Sequence, residues 1–300
     1  MREIEYTVAP EDDGREVKRV IRARMGASHR QLGSLKAADG ILVNGRAVHA
    51  NYVVRAGERI AISLPEEPVG AAEACEGPVD IVYEDDDLMV LNKEAPLACQ
   101  SSDRQPKHSL ENRLAYLFAQ RGQPFLFRPV NRLDRGTSGL MVAAKHAHAQ
   151  NLLQAQLHTP DFRREYLAIL AGSPPCEQGV VDAPIAKADG ATVRRCVRPE
   201  AEGGKPSVTE YRVLLRQEDL TLVRLRLQTG RTHQIRVHMS YLGCPVLGDF
   251  LYGTEDERLP GRFALHSAFL RLLHPITGRE LIFEQPLPAE LKKLIEKTPV

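Results

Sequence analysis

Tryptophan is missing from this 300-residue chain and aromatic residues make up only 5% of it. No stretch approaches the roughly 18 to 20 consecutive apolar residues a membrane span requires, and Met1-Arg2-Glu3-Ile4-Glu5 carries neither the basic nor the apolar region of a secretory leader. A cytoplasmic, membrane-free protein is therefore expected. The five cysteines (75, 99, 176, 196 and 244) are odd in number and scattered, with no Cys-x-x-Cys pair, so neither disulfides nor a structural zinc is expected. None of the 22 glycines stands two positions from another, which excludes the Gly-x-Gly-x-x-Gly dinucleotide fingerprint. Gly203-Gly204-Lys205 imitates a phosphate loop, but Pro199 and Pro206 occupy its required Gly and Ser/Thr positions. His-Glu-x-x-His and Gly-x-Ser-x-Gly are also absent, removing the most legible signatures of zinc proteases and serine hydrolases.

What remains is an ordinary globular composition, 43% hydrophobic and 26% charged. At about 150 residues per domain this length suggests two domains. The net charge of +1 conceals opposed blocks: residues 15–64 hold ten Lys/Arg against three acids, whereas residues 65–87 hold nine acids and no base. A compact basic block is a plausible polyanion surface, because neutralising phosphates releases counterions.

Val17, Val20, Ile21 and Met25 fall on one helical face, with Lys18, Arg19 and Arg22 elsewhere on the turn. Ser28 is a cap for a second short helix carrying Leu32 and Leu35. Ile41-Leu42-Val43, Asn44-Gly45 and Arg46-Ala47-Val48 then read as strand, tight turn and strand, and Ile60 to Leu64 as a further strand. The spacing predicts a small basic domain over 1–64, an acidic linker rich in Pro and Gly over 65–80, and a larger domain over 81–300. In that larger domain strand patterns at 88–91, 128–133, 140–144, 166–170, 207–215, 221–228 and 232–239 outnumber helices near 110–118 and 147–158. Because they do not alternate strictly, a mixed, largely antiparallel α+β sheet with flanking helices is predicted rather than a doubly wound one.

Three segments concentrate chemistry. Arg128 to Gly139 places Asp134 on a loop between strand-like runs, flanked by Arg132 and Arg135, cations that would favour its ionised form on close approach. The plainer reading is a turn Asp satisfied by Thr137, Ser138 and backbone amides. In Gly230 to Met239, alternation predicts a strand with Gln234, Arg236 and His238 on one face; Arg231 and His233 precede it, and the five-residue spacing of the two histidines does not suit a metal. Tyr166 shares a strand face with Ala168 and Leu170, which usually makes a tyrosine a core residue, although it could stack on a flat base or move a proton.

The run Asn-Arg-Leu-Asp-Arg-Gly-Thr-Ser-Gly-Leu at 131–140 resembles the His-Arg-Leu-Asp-x-x-Thr-Ser-Gly motif of the RluA family of RNA pseudouridine synthases. Residues 82–93, 204–211, 230–238, 243–253, 264–266 and 274–275 resemble further segments of that family in the same order. Asn131, Glu94 and Arg164 stand where the family usually has His, Pro and Lys. More loosely, residues 15–64 resemble the small RNA-binding module named after a ribosomal small-subunit protein.

The resemblance implies a pseudouridine synthase fold and isomerisation of uridine in ribosomal or transfer RNA, with no cofactor or metal. Asp134 is then the catalytic carboxylate, Tyr166 a catalytic residue that stacks on uracil and could take its C5 proton, and Arg236 the ion-pair partner of Asp134. It makes Arg132 the side chain that fills the space left by a flipped base, with Arg135 beside it on the RNA. Thr137, Ser138, Arg231, His233, Gln234 and His238 are expected to support the pocket. Lys18, Arg19, Arg22, Arg30, Lys36 and Arg46 are expected on RNA phosphates, in a monomer. The competing readings are a non-catalytic RNA-binding or ribosome-assembly protein retaining the fold, and a glycosidase. The latter needs a second carboxylate, for which only Asp249, expected to be a turn residue, offers itself.

Overall fold

The structure, a computed structural model, describes residues 2–64, 69–102, 107–157 and 159–296. In chain order the N-terminal part contains β1 (Glu3–Thr7), α1 (Val17–Arg24), α2 (His29–Ala37), β2 (Ile41–Val43), β3 (Arg46–Ala47) and β4 (Arg59–Ser63). Its four strands form one sheet in the order β1-β4-β2-β3. The helices close over it because Val17, Val20, Ile21, Leu32 and Leu35 meet Ile41, Val43, Ile60 and Ile62 in a separate apolar core. Ser28 caps α2 through the Gln31 amide, and Asn44-Gly45 makes the hairpin with both residues at positive φ, as a two-residue turn requires.

The remainder comprises β5 (Ile81–Glu84), β6 (Leu88–Lys93), α3 (Leu110–Gln120), β7 (Arg128–Pro129), β8 (Ser138–Ala144), α4 (Ala147–Gln156), β9 (Arg163–Ala171), β10 (Gln178–Asp182), β11 (Ile185–Lys187) and β12 (Arg195–Val197). It continues with β13 (Val208–Arg216), β14 (Leu220–Leu227), α5 (Gln234–Tyr241), β15 (Leu265–Leu273), β16 (Glu280–Glu284) and α6 (Ala289–Ile295). One sheet runs β10-β13-β14-β9-β15-β8-β6-β5, with β16 on β15 and β7 on β8. This is the mixed α+β architecture expected. All its pairs are antiparallel except β8 with β15, where His266 aligns with Ser138. That seam joins the two halves of the sheet, and the loop bearing Asp134 runs directly into it. Gly139 is required there: its φ is +107°, and a Cβ would lie 2.2 Å from the Ser267 carbonyl oxygen.

Residues 232–239 are not a strand. They enter α5, in which residues 234 to 239 are all buried, polar and apolar alike, so the alternation in the sequence marks no wet face and its period is uninformative. The supposed linker is also less free than its composition suggests. Residues 65–68 lie outside the described residues, but Gly70 donates to the Phe125 carbonyl, Cys75 to that of Asn112, and Arg113 to that of Pro78.

The N-terminal unit is docked on the larger one. The Arg2 guanidinium spans Asp87 (2.8 and 3.2 Å), His148 at α4 bonds Gln31 at 2.8 Å, and Gly26 packs so closely on Leu152 that a Cβ would fall 2.3 Å from its Cδ2. Asp85, Asp87 and His274 cluster beside this contact with a metal-like spacing. The donors do not suit a metal. His274 Nδ1 accepts from the Ile276 and Thr277 amides, so its Nε2 carries the proton given to Asp85, while Arg2 and His146 already occupy Asp87.

Burial also sets an acid limit on stability. His148 and His266, each 2% exposed, are both pushed down to about 4, first by burial and then, for His148, by the neighbouring His146. Their folded values lie below the unfolded value of about 6.5, so the unfolded chain binds more protons throughout that window. The stability of the neutral imidazoles is complete above the unfolded value and drains away as pH falls towards 4, on the order of 3 kcal/mol for each. A melting temperature falling steadily from pH 7 to 4.5, and falling less steeply in His148→Gln, is expected; a flat profile in the native protein would contradict it.

Candidate active site

A cleft of about 1010 Å³ opens beside the seam, between the loop 130–137, the Arg164 and Tyr166 end of β9, the turn 230–233 and one side of α4. Five arginines line it, Arg132, Arg135, Arg164, Arg231 and Arg236, and Asp134 is the one carboxylate among the described lining residues. Such a wall suits a polyanionic ligand that presents one neutral group to an acid.

Asp134, with 28% of its side chain exposed, accepts from Arg236 Nη1 at 3.0 Å. The flanking Arg132 and Arg135 are exposed and form no ion pair with it, so proximity in sequence misleads here and the partner comes from 102 residues away. Arg236 is held on three sides. Asp249 grips its Nε and Nη2 at 2.7 and 2.9 Å, and the rings of Phe263 and Tyr252 lie 4.2 and 5.0 Å from its guanidinium carbon. Burial works against its charge, but the Asp249 bonds and the Asp134 charge more than offset this and raise its pKa.

Asp249 is the residue whose role sequence reasoning missed. It is a turn residue, accepting from the Leu251 and Tyr252 amides, yet the same fully buried carboxylate anchors Arg236. No local signal separates the two roles. Lys93 is the other omission. It is 1% exposed, and its ammonium bonds the Leu97 carbonyl at 2.7 Å and the Glu94 carbonyl at 2.8 Å and lies 3.4 Å from that of Arg135, clamping the Asp134 loop from beneath; burial lowers it to about 8. The Cys99 thiol donates to the Leu133 carbonyl on the same loop.

His233, at φ +60°, starts the turn into α5 and bonds the Tyr252 hydroxyl at 2.7 Å, leaving Nε2 3.9 Å from Asp134. Burial lowers its pKa, the Asp134 charge opposing, so the ring beside Asp134 is neutral at pH 7. Tyr166 lines the cleft at 5% exposure, and burial raises its pKa against the opposing Arg164 charge, so it keeps its phenolic proton. Asn131 Oδ1 accepts from the Val142 amide, and neither its Nδ2 nor Arg164 Nε has a partner among the described residues.

The expected supporting residues divide. Thr137, Arg231, His233 and Gln234 line the cleft. Gln234 orders the turn by accepting from Thr229 and Arg231 and donating to Val208 and Thr209. His238 does not reach the cleft. One helical turn beyond Gln234, it is fully buried between Thr209 and the Ala183 carbonyl, a consequence of helix rather than strand. Ser138 faces away as well, bridging Arg262 and His266 on the other side of the seam. In the N-terminal unit Lys18, Arg19, Arg22 and Lys36 converge with His29 on a groove of about 640 Å³; Arg30 and Arg46 do not line it.

Against known proteins, residues 87–241 match the family described as RNA pseudouridylate synthase. The chain is 39% identical over 274 residues to the uncharacterized RNA pseudouridine synthase YjbO of Bacillus subtilis, covering 91% of this chain and 95% of that one. It is 39% identical over 270 residues to ribosomal large subunit pseudouridine synthase D of Vibrio parahaemolyticus, covering 85% and 82%. Among solved structures it resembles human RNA pseudouridylate synthase domain containing 1, with 30% identity and a TM-score of 0.58 over 73% of this chain and 86% of that one.

Proposed function

The chain belongs to the RNA pseudouridylate synthase family, and on that premise we propose how its residues divide the work of isomerising uridine in RNA. In this reaction the bond from N1 of uracil to the ribose C1′ breaks, the base turns, and C5 joins C1′. A proton leaves C5 and one arrives at N1, so no redox cofactor takes part. Asp134 is the catalytic carboxylate. Its pairing with Arg236 supports this assignment more than any other observation, because a buried, doubly anchored guanidinium fixes both the position and the charge of an otherwise open acid.

Tyr166 offers its ring face to the uracil. As it carries its own proton when the cleft is empty, its part in the resting enzyme is to stack rather than to act as a ready base. Arg132, exposed at the lip of the cleft, is suited to enter a helix from which the base has been extruded, a step costing a few kcal/mol. Arg135, Arg164 and Arg231 hold the adjoining phosphates.

The N-terminal unit is an RNA-binding module in which Lys18, Arg19, Arg22 and Lys36 carry the phosphate contacts, supported by the basic groove they form. Because the Vibrio parahaemolyticus relative bears the name of a ribosomal large subunit enzyme, large-subunit ribosomal RNA is the substrate proposed here, modified by a monomer in the cytoplasm. The test is tritium release from unmodified ribosomal RNA transcribed with [5-³H]uridine. Release matched by an equal yield of pseudouridine is expected, and RNA binding without release would favour a non-catalytic protein of the same fold.

A further inference from the structure

Helix α4 has the sequence AHAQNLLQAQ, without a single charged residue. Ala147, Asn151, Gln154 and Ala155 on it are nonetheless exposed. A surface helix usually solvates its outer face with charge, so a bare one needs a reason.

At 100° per residue these four side chains form a single ridge. Gln154 on the ridge and its neighbours Gln150 and Leu157 on one side of it line the catalytic cleft. On the other side His148 bonds Gln31 and Leu152 packs on Gly26, and that docked segment continues directly into His29 at the basic groove. The ridge is thus the ground between two basic surfaces. We propose that the exposed ridge of α4 is an RNA-contact surface, over which one RNA backbone passes continuously from the cleft to the N-terminal groove.

This rests on the reading of the protein as an RNA-modifying enzyme. Charge and size both favour it. A carboxylate anywhere on the ridge would repel the phosphates that the arginines of the cleft and the lysines of the groove attract. Two alanines allow close approach of the backbone, and two amides can donate to phosphate or to the ribose 2′-hydroxyl and accept from the latter. The tight seating of Gly26 on Leu152 keeps the two basic surfaces in one register. The N-terminal unit then acts as a fixed continuation of the site rather than a loosely tethered anchor.

Asn151 and Ala155 lie outside the cleft lining, and Glu and Lys are both good helix formers. The test compares N151E/A155E with N151K/A155K in the full-length protein, measuring filter binding to unmodified ribosomal RNA across salt concentrations together with tritium release. The Glu pair should weaken binding about tenfold at 0.1 M salt and raise KM with kcat unchanged. The Lys pair should bind at least as tightly as the native protein, with a salt slope steeper by up to about two. Equal weakening by both pairs, or no change in either, would overturn the proposal. If the native protein released no tritium, the catalytic reading would fall while the binding comparison still decided the role of the ridge.

Discussion

Asp134→Asn is expected to lower tritium release by about 10⁴-fold or more, the scale on which removing a covalent or proton-transferring group acts, while the protein stays folded and bound to RNA. The substitution is nearly isosteric. Its amide oxygen can still accept from Arg236, and Arg236 keeps both bonds to Asp249, so no buried charge loses its last partner. Only the negative charge is lost, from a cleft that otherwise contributes five arginines. Binding should therefore hold or tighten slightly, because one repulsion against phosphate disappears. Single-turnover release and filter binding, measured on one preparation, separate the two effects. Undiminished release would remove Asp134 from the chemistry, and a parallel loss of binding and release would make it an RNA contact.

Much of this architecture is legible in the sequence because local rules agree there with the global fold. The amphipathic spacing of Val17, Val20 and Ile21, the cap at Ser28 and the Asn44-Gly45 turn each have one physical solution, and the structure adopts it. The segment after Gly230 fails for the opposite reason. Alternation of Ile235, Val237 and Met239 marks a face only when the other face is wet, and in α5 Gln234, Arg236 and His238 are buried too. The consequence reaches the site, since helical geometry sends His238 to Thr209 while Arg236 turns to Asp134. Charge partners are the least legible feature of all. Arg132 and Arg135 adjoin Asp134 in the chain yet form no ion pair with it, whereas Lys93 reaches under the loop from β6, the strand next to β8, where it pairs with Gly139.

Asp249 exposes that limit most sharply and carries the second large effect. Asp249→Asn would place a neutral amide against Arg236. Whichever way it turned, it could not supply acceptors to both Arg236 Nε and Nη2 and still receive the Leu251 and Tyr252 amides. Disrupting a buried pair of this kind costs on the order of 3–5 kcal/mol, so a marked fall in melting temperature is expected. The effect on chemistry is distinct from that loss. Arg236 would retain Asp134 and the flanking rings but lose the two-pronged hold of its second anchor, and a misplacement on the order of 1 Å at a reacting group costs about 10²-fold. A fall of that size in kcat, measured at a temperature where the variant remains folded and with KM little changed, assigns Asp249 to positioning. The partner substitution Arg236→Lys should fall similarly, and the two together should be no worse than the worse single variant, because both break the same link. A folded Asp249→Asn protein with kcat within about threefold of the native value would confine Asp249 to holding the turn, and additive losses would place the two residues in separate roles.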